Sequence, residues 1–306
     1  MARKRRPIGW AIEYVAFRVF CIIASAIGRH ASFFVGYVLG SLFYFLGIKR
    51  KRRTIENIKL VYGERKSERE QRKLARTCYA FWGGCLAEFF SIAHKKPKRL
   101  PDMVRIDGEE RLISALKNGK GVIAISGHIS NFPLLGVYLA RAGYPTTVLL
   151  LPARNPYAEV LLAEMRKRLE LPTIYATSPT AMFSVMRSLR SNQIVWVLVD
   201  QKFHRGVVVD FLGHPAQVAG GTALFAIRSD AVVIPTILHR LKNSKYVIDV
   251  GEPIEVVKKD RMEEAIQVNM ERFSRIIGEY VLLYPEQWTW FHNRWQIRWR
   301  KLRKRA

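Results

Sequence analysis

Apolar and polar positions divide the chain into three regions. From Ile8 to Gly28 the residues are mostly apolar, with Glu13 and Arg18 the only charges. From Ala31 to Ile48 no charge occurs at all. Each stretch runs about 18–21 residues, close to the length of a helix that crosses a bilayer. A helical pattern follows from 54 to 95. Ser67 and Glu70 form a capping box there, Arg65, Lys66, Arg69, Arg72, Lys73 and Arg76 are spread over the polar face, and Phe81, Trp82, Leu86, Phe89 and Phe90 make an aromatic band. From about Val104, short apolar runs alternate with amphipathic ones. The pattern predicts strands at 103–107, 121–126, 146–150, 194–199, 207–211, 232–237 and 245–250. It predicts helices at 109–118, 131–142, 156–170, 179–191, 219–229 and 260–283. Such alternation predicts an α/β fold, a mostly parallel central sheet with helices on both faces. The chain then divides into a basic-flanked N-terminal anchor, 1–53, and an α/β domain, 54–306, with no internal repeat or low-complexity linker.

Charge sharpens the picture of the anchor. Arg3-Lys4-Arg5-Arg6 precedes the first apolar stretch and Lys49-Arg50-Lys51-Arg52-Arg53 follows the second. A hairpin would put both clusters on one side, and the positive-inside tendency makes that side cytoplasmic. A single span and a pair of core helices fit the same pattern. A cleaved signal peptide, with Ala24-Ser25-Ala26 as its cleavage site, is opposed by Arg18 and by the basic run downstream. Over the whole chain of 306 residues the net charge is +26, which calls for an anionic partner. The basic residues sit beside apolar or tryptophan-rich segments, and no RRM, KH or zinc-finger signature occurs, so nucleic acid is not the expected partner. The C-terminal run from Arg298 to Arg305, with Trp288, Trp290, Trp295 and Trp299 before and within it, has the composition of a membrane–water interface. The three cysteines, Cys21, Cys78 and Cys85, make no disulfide framework and no CxxC or HExxH pattern occurs, so a reducing compartment and no metal site are expected.

Three constellations could carry chemistry. Gly127-His128-Ile129-Ser130-Asn131-Phe132-Pro133 follows a buried-strand pattern, which puts His128 past the carboxyl end of a strand, where open α/β sheets place their ligands. Asn131 is an expected N-cap and Pro133 an expected first-turn residue, so free N–H groups would face an anion or an oxyanion there. Arg154-Asn155-Pro156-Tyr157, with Arg166 on the helix that follows, offers guanidinium forks for phosphate. Asp200-Gln201 ends another strand pattern and lies on the same sheet edge as His128 if the strands are parallel. Gly220-Gly221 opens a further helix and suits a close backbone approach. Tyr284 to Trp295 has no chemistry that spacing alone assigns.

In this order, the motifs resemble the bacterial lipid A biosynthesis acyltransferases, the lauroyl/myristoyl transferase branch of the lysophospholipid acyltransferase superfamily. Gly127-His128-Ile129-Ser130-Asn131-Phe132-Pro133 is similar to the family's Gly-His-Phe-Gly-Asn-Trp-Glu. Arg154-Asn155-Pro156 matches its Arg-Asn-Pro. Asp200-Gln201, Gly206, Val209 and Phe211-Leu212-Gly213 match its Asp-Gln element, and Pro285-Glu286-Gln287-Trp288, Trp290, His292 and Arg294 its Pro-Glu-Gln-Trp element. The chain departs from the family at one position. The acid that normally follows His by five places, and holds the imidazole in its useful tautomer, is here Pro133. A backbone carbonyl, Asn131 or Asp200 could take that orienting role.

The resemblance implies a membrane-associated acyltransferase at the cytoplasmic face of the bacterial inner membrane. It would move a fatty acyl chain from acyl-carrier protein or acyl-CoA to a hydroxyl of a lipid A precursor or related lipid or glycolipid. His128 would be general base, with Asn131 and Asp200 also in the catalytic group. Arg154, Asn155, Arg166, Gln201 and Gly221 would bind substrate, Arg154 and Arg166 holding a phosphate. Acyl-carrier protein and anionic membrane lipids are the implied partners, and no bound cofactor or metal is required. The alternative is a catalytically silent homologue that binds acylated lipid and lacks the orienting acid.

Overall fold

The structure, a computed structural model, describes residues 7–94 and 103–295. The basic run at the N-terminus and the basic tail with Trp299 lie outside the described residues. The two apolar stretches form helices α1, Pro7–Ile27, and α2, Arg29–Leu46, with Gly28 at positive φ between them. The helical pattern over 54–95 forms two helices: α3, Ile48–Tyr62, which starts before it, and α4, Glu68–His94. Gly63, at φ 51°, breaks the helix, and the capping box restarts it. Ser67 N–H donates to Glu70 Oε2 (2.8 Å) and Glu70 N–H to Ser67 Oγ (3.3 Å). Helix α3 runs without a break through residue 53, where the sequence pattern divides anchor from domain.

The domain that follows alternates strands and helices. In chain order these are β1, Val104–Asp107; α5, Glu109–Lys117; β2, Val122–Ser126; α6, Leu135–Arg141; β3, Thr146–Leu150; α7, Pro156–Arg168; β4, Thr173–Tyr175; and α8, Ala181–Arg190. Then come β5, Ile194–Leu198; β6, Val207–Phe211; β7, His214–Val218; α9, Gly221–Ser229; β8, Val232–Arg240; β9, Tyr246–Val250; and α10, Met262–Leu283. Seven strands form one sheet in the order β1-β9-β8-β2-β5-β3-β4. Every pairing in it is parallel except β8–β9. All five side chains of β2 are buried, as expected for a central strand covered on both faces.

Two strands escape the sequence pattern. Strand β4 is a three-residue edge piece. Strand β7 carries Pro215 and two polar residues, and pairs only with β6, as a hairpin outside the main sheet. The hairpin turn is Leu212-Gly213, both at positive φ, the signature of a two-residue primed turn. The expected helix over 131–142 also changes. A 3-10 turn covers Phe132–Leu134 and α6 begins only at Leu135.

Helix α2 is fastened to α4 at backbone distance. Its buried stripe is Ser32, Gly36, Gly40 and Tyr44, one residue per turn. A Cβ on Gly36 would fall 2.3 Å from the Gly83 carbonyl oxygen, and one on Gly40 would fall 2.2 Å from that of Tyr79. Only glycine permits this contact, the small-residue packing familiar in membrane helices. The opposite face leaves Phe34, Val38, Leu42 and Phe43 exposed. Helix α1 likewise exposes Ile12, Val15, Val19, Ile22 and Ile23, and over Gly9–Ile27 it is long and apolar enough to cross a membrane.

Candidate active site

Strands β2 and β5 pair in parallel with Ser126 opposite Leu198. Two residues beyond each of these strand ends, a polar side chain reaches the same sheet edge. His128 Nδ1 donates to Asp200 Oδ1 (2.7 Å), and the His128 backbone N–H donates to Asp200 Oδ2 (2.8 Å). The glycine before His128 is needed for this approach, because a Cβ on Gly127 would lie 2.9 Å from the Ile277 side chain and 3.3 Å from Asp200 Oδ2. An acid therefore does stand on Nδ1 although position 133 is proline, and it comes from another strand.

Asp200 is buried and fully served by donors. Trp288 Nε1 donates to Oδ2 (2.8 Å) as its third partner. Burial by itself would raise the carboxyl pKa. The attraction of His128, its two hydrogen bonds and that of Trp288 outweigh burial and hold the group well below the usual carboxylate range. The aspartate therefore stays ionised and cannot donate. Nδ1 of His128 carries the proton, and Nε2 is left with its lone pair outward.

That lone pair meets Gln201, the residue after Asp200. The Gln201 amide nitrogen lies 2.6 Å from His128 Nε2 and 3.3 Å from His292 Nε2. An amide NH2 has two hydrogens, and here it faces two ring acceptors. His292 is half-buried. Burial first, then the nearby His128, pushes its pKa down to about 4, so it is neutral near pH 7. Phe132 meets the His128 ring edge-on at 4.6 Å between centroids.

The segment from Tyr284 to Trp295, to which spacing assigned no chemistry, backs the whole loop. Ser130 N–H donates to the Gln287 carbonyl (2.8 Å), and Ile129 bridges Trp288 in β fashion. Trp288 and Trp290 are buried with their rings 4.8 Å apart, and Arg294 is buried with its guanidinium over the Phe211 ring at 4.3 Å. These tryptophans therefore do not form a membrane–water belt. They build the floor under Asp200. Burial lowers the Arg294 pKa to about 10, with Asp200 opposing.

Asn131 does not cap a helix. Its side chain is buried and donates to the Tyr246 hydroxyl (3.3 Å). The N–H groups of His128, Ile129 and Ser130 are already bonded to Asp200, Gly127 and Gln287. The donor nearest the base is Gln201, not an N–H cradle at Asn131.

The candidate phosphate binders lie elsewhere. Asn155 caps α7, accepting from Tyr157 N–H (3.0 Å), and its amide donates to Glu13 Oε2 on α1 (2.9 Å). Arg166 is paired with Glu159 on its own helix and donates to the Tyr175 hydroxyl (2.9 Å) on the edge strand, three strands from β2. Its charge is compensated there. A hollow of about 400 Å³ beside Arg166, Thr173 and Tyr175 shares no lining residue with the His128 site. Arg154 is exposed in the loop before α7. Gly221 begins α9, and a Cβ there would meet only the Phe225 ring, at 3.9 Å. The tight contact belongs to Gly220, whose Cβ would fall 2.7 Å from Ile266 of α10, so the double glycine serves helix packing.

A histidine held by a buried aspartate at the carboxyl edge of a sheet is an arrangement that can accept a proton from a nucleophile. Residues 3–297 match the family profile described as bacterial lipid A biosynthesis acyltransferase, and the chain belongs to that family and is an acyltransferase. It is 25% identical over 256 residues to the lipid A biosynthesis acyltransferase of Haemophilus influenzae, covering 82% of this chain and 78% of that protein. It is 20% identical to the lipid A biosynthesis palmitoleoyltransferase of Escherichia coli, over 94% of this chain and 89% of that one. A phosphatidylinositol mannoside acyltransferase of Mycobacterium tuberculosis is 29% identical over 48% of this chain and 47% of its own length.

Because Nδ1 already has Asp200, restoring an acid by Pro133→Glu is expected to bring no gain in turnover. A steady-state assay checks this. Turnover above wild type would show that the histidine lacks its partner.

Proposed function

We propose that this enzyme transfers a fatty acyl chain from the thioester of acyl-carrier protein, or of CoA, to a hydroxyl of a lipid A precursor or a related lipid or glycolipid. The observation that carries the reading is the His128–Asp200 couple, Nδ1 lying 2.7 Å from Oδ1, which leaves Nε2 as the ring's acceptor. The acceptor hydroxyl displaces the Gln201 amide from Nε2 and gives its proton to His128. Its oxygen attacks the thioester carbonyl carbon, and Asp200 stabilises the imidazolium that results. The Gln201 amide, held on its other side by His292, turns to the carbonyl oxygen and stabilises the tetrahedral oxyanion. The C–S bond breaks, the leaving sulfur takes the proton from Nε2, and ester and thiol depart. No metal or bound cofactor takes part.

The exposed apolar faces of α1 and α2 rest against the cytoplasmic leaflet of the inner membrane, and Lys49 and Lys51, which follow α2, meet anionic headgroups, each for roughly 1 kcal/mol. The domain therefore works at the lipid surface. The alternative of a silent lipid binder drew on the missing acid at 133, and Asp200 removes that motive.

The test uses the purified full chain in detergent, given palmitoyl-carrier protein or palmitoyl-CoA and, in turn, a lipid A precursor, a phosphatidylinositol mannoside and a lysophospholipid. Mass spectrometry is expected to show one acceptor gaining an acyl group. Lipids from a deletion strain lacking the same acyl chain would name the acceptor and chain length in the cell. Absence of product with every pair would overturn the reading.

A further inference from the structure

Phosphate is common to the donors and acceptors considered above, yet Arg166 is already neutralised by Glu159 and lies on the far edge of the sheet. Helix α3 supplies cations where they are needed. It lies across the segment that carries His292: Asn57 Nδ2 donates to the carbonyls of Trp290 (2.7 Å) and His292 (2.8 Å), and the Tyr62 ring sits 5.8 Å from Trp290. The buried stripe of α3 is Thr54, Asn57, Ile58 and Val61. One turn before Thr54 on that stripe is Arg50, whose carbonyl accepts from Thr54 Oγ1 (2.9 Å), and one turn before Asn57 is Arg53. Arg50 is exposed and Arg53 half-buried. Among the described residues neither has an acidic partner, whereas Arg52, on the outer face, pairs with Glu56.

We propose that Arg50 and Arg53 form a phosphate-ester subsite beside the His128–His292 pair. The subsite deepens the acyl-transfer reading and rests on it for its physiological ligand. Guanidinium forks suit phosphate oxygens, and two of them on successive turns bracket one phosphate. The site has room for the charge: His292 is neutral near pH 7 when the anion is absent, and Asp200 is buried beneath its own donors. An independent mark of proximity is the basicity of His292, which Arg50 and Arg53 both lower, after the larger effects of burial and of His128, while Asp200 opposes them. A bound phosphate cancels those two charges. The ester belongs either to the phosphopantetheine arm of the donor or to the headgroup of the acceptor.

Binding can be read without turnover. In the full chain in detergent with 13C-labelled histidine, His292 is titrated by NMR with and without 4′-phosphopantetheine or glycerol 3-phosphate. The expected result is an upward shift of the His292 pKa by about one unit when the probe is bound. In Arg50→Gln/Arg53→Gln that shift is lost. Each charge-assisted contact removed corresponds to about a tenfold loss of affinity, so the double variant should raise the KM of the phosphate-bearing substrate by about a hundredfold, with kcat little changed. A KM effect on the donor alone assigns the phosphopantetheine, and one on the acceptor alone assigns the headgroup. Arg50→Lys/Arg53→Lys, which keeps charge but not the fork, should fall between. If the His292 response to both probes survives the double glutamine variant, the subsite is overturned. The same holds if only flotation with anionic vesicles is lost, because the arginines then serve the membrane surface. Should turnover fail with every substrate pair, the NMR titration still decides for or against this subsite by itself.

Discussion

His128→Ala is expected to lower kcat by about 10²- to 10⁴-fold without unfolding the protein, the range for loss of a positioned general base. The side chain is an end point of the structure: beyond Asp200 and Gln201 it meets the Phe132 and His292 rings, and the strand that carries it is secured by β5 and β8. Asp200→Asn should cost about as much, for a different reason. Oδ2 accepts from both the His128 N–H and Trp288 Nε1, so an asparagine keeps its carbonyl oxygen at that position. Its NH2 then faces Nδ1, which must become the acceptor. The ring proton moves to Nε2, and the base is lost although every hydrogen bond to residue 200 is kept. In a Ser-His-Asp triad the same exchange costs about 10⁴-fold. Asp200→Ala would add a folding defect, since two buried donors lose their acceptor at about 1–3 kcal/mol each. The measurement is acyl transfer from a carrier-protein thioester, with thermal denaturation as the check on folding. Equal turnover in wild type and His128→Ala would sink the mechanism.

The sequence carries the parts of this site more clearly than their pairing. The strand pattern 121–126 and the pattern 194–199 each end one or two residues before a functional side chain, and parallel pairing is all that is needed to bring His128 to Asp200. The choice among Asn131, Asp200 and a backbone carbonyl as orienting group depends on register, which no local pattern contains. Asn131 misleads because a good N-cap residue need not stand at a helix start: the 3-10 turn at Phe132–Leu134 postpones the helix, and the amide turns inward to Tyr246. Arg166 misleads because its neutralising partner, Glu159, is seven residues away on the same helix, outside the usual three- or four-residue pairing. Trp288 and His292 have no periodicity to betray them. Their roles come from a long return of the chain after α10, and the only local sign is a cluster of aromatic residues too polar in its spacing for a helix. For the apolar N-terminus, the pattern gives the helices but not their docking. The glycines at 36 and 40 are the sign of close packing, and on α4 they meet Gly83 and the backbone of Tyr79 and Ala80.

Glu88→Gln is expected to destabilise the protein by about 3–5 kcal/mol, the cost of removing one member of a buried charge cluster. Glu88 on α4 is fully buried. Arg29 Nη1 donates to its Oε1 at 3.2 Å, Arg240 forms an ion pair with Oε2 at 3.4 Å without a hydrogen bond, and the Tyr246 hydroxyl donates to Oε2. Arg240 also lies over the Phe33 ring at 3.5 Å, so its charge is walled off from water on that side. Glutamine keeps the shape and most contacts but leaves two largely buried guanidinium groups without a counter-charge. For a chain of this size the loss corresponds to a fall in Tm of roughly 5–8 °C. Replacing the charges together, as in Glu88→Leu/Arg240→Met, should recover much of it, because well-packed apolar side chains can substitute for a buried ion pair. A Tm for Glu88→Gln within about 2 °C of wild type would refute a charge cluster of this weight. The consequence also reaches the site. Arg29 stands at the bend between α1 and α2 and donates to the Ser244 carbonyl (2.9 Å), in the loop between β8 and β9. Tyr246 connects the same carboxylate to Asn131, three residues from His128. Loss of the charge should therefore loosen the apolar helices and the catalytic loop together, which limited proteolysis near Gly28 and a parallel fall in kcat would record. Cleavage without any change in kcat would confine Glu88 to holding the helices.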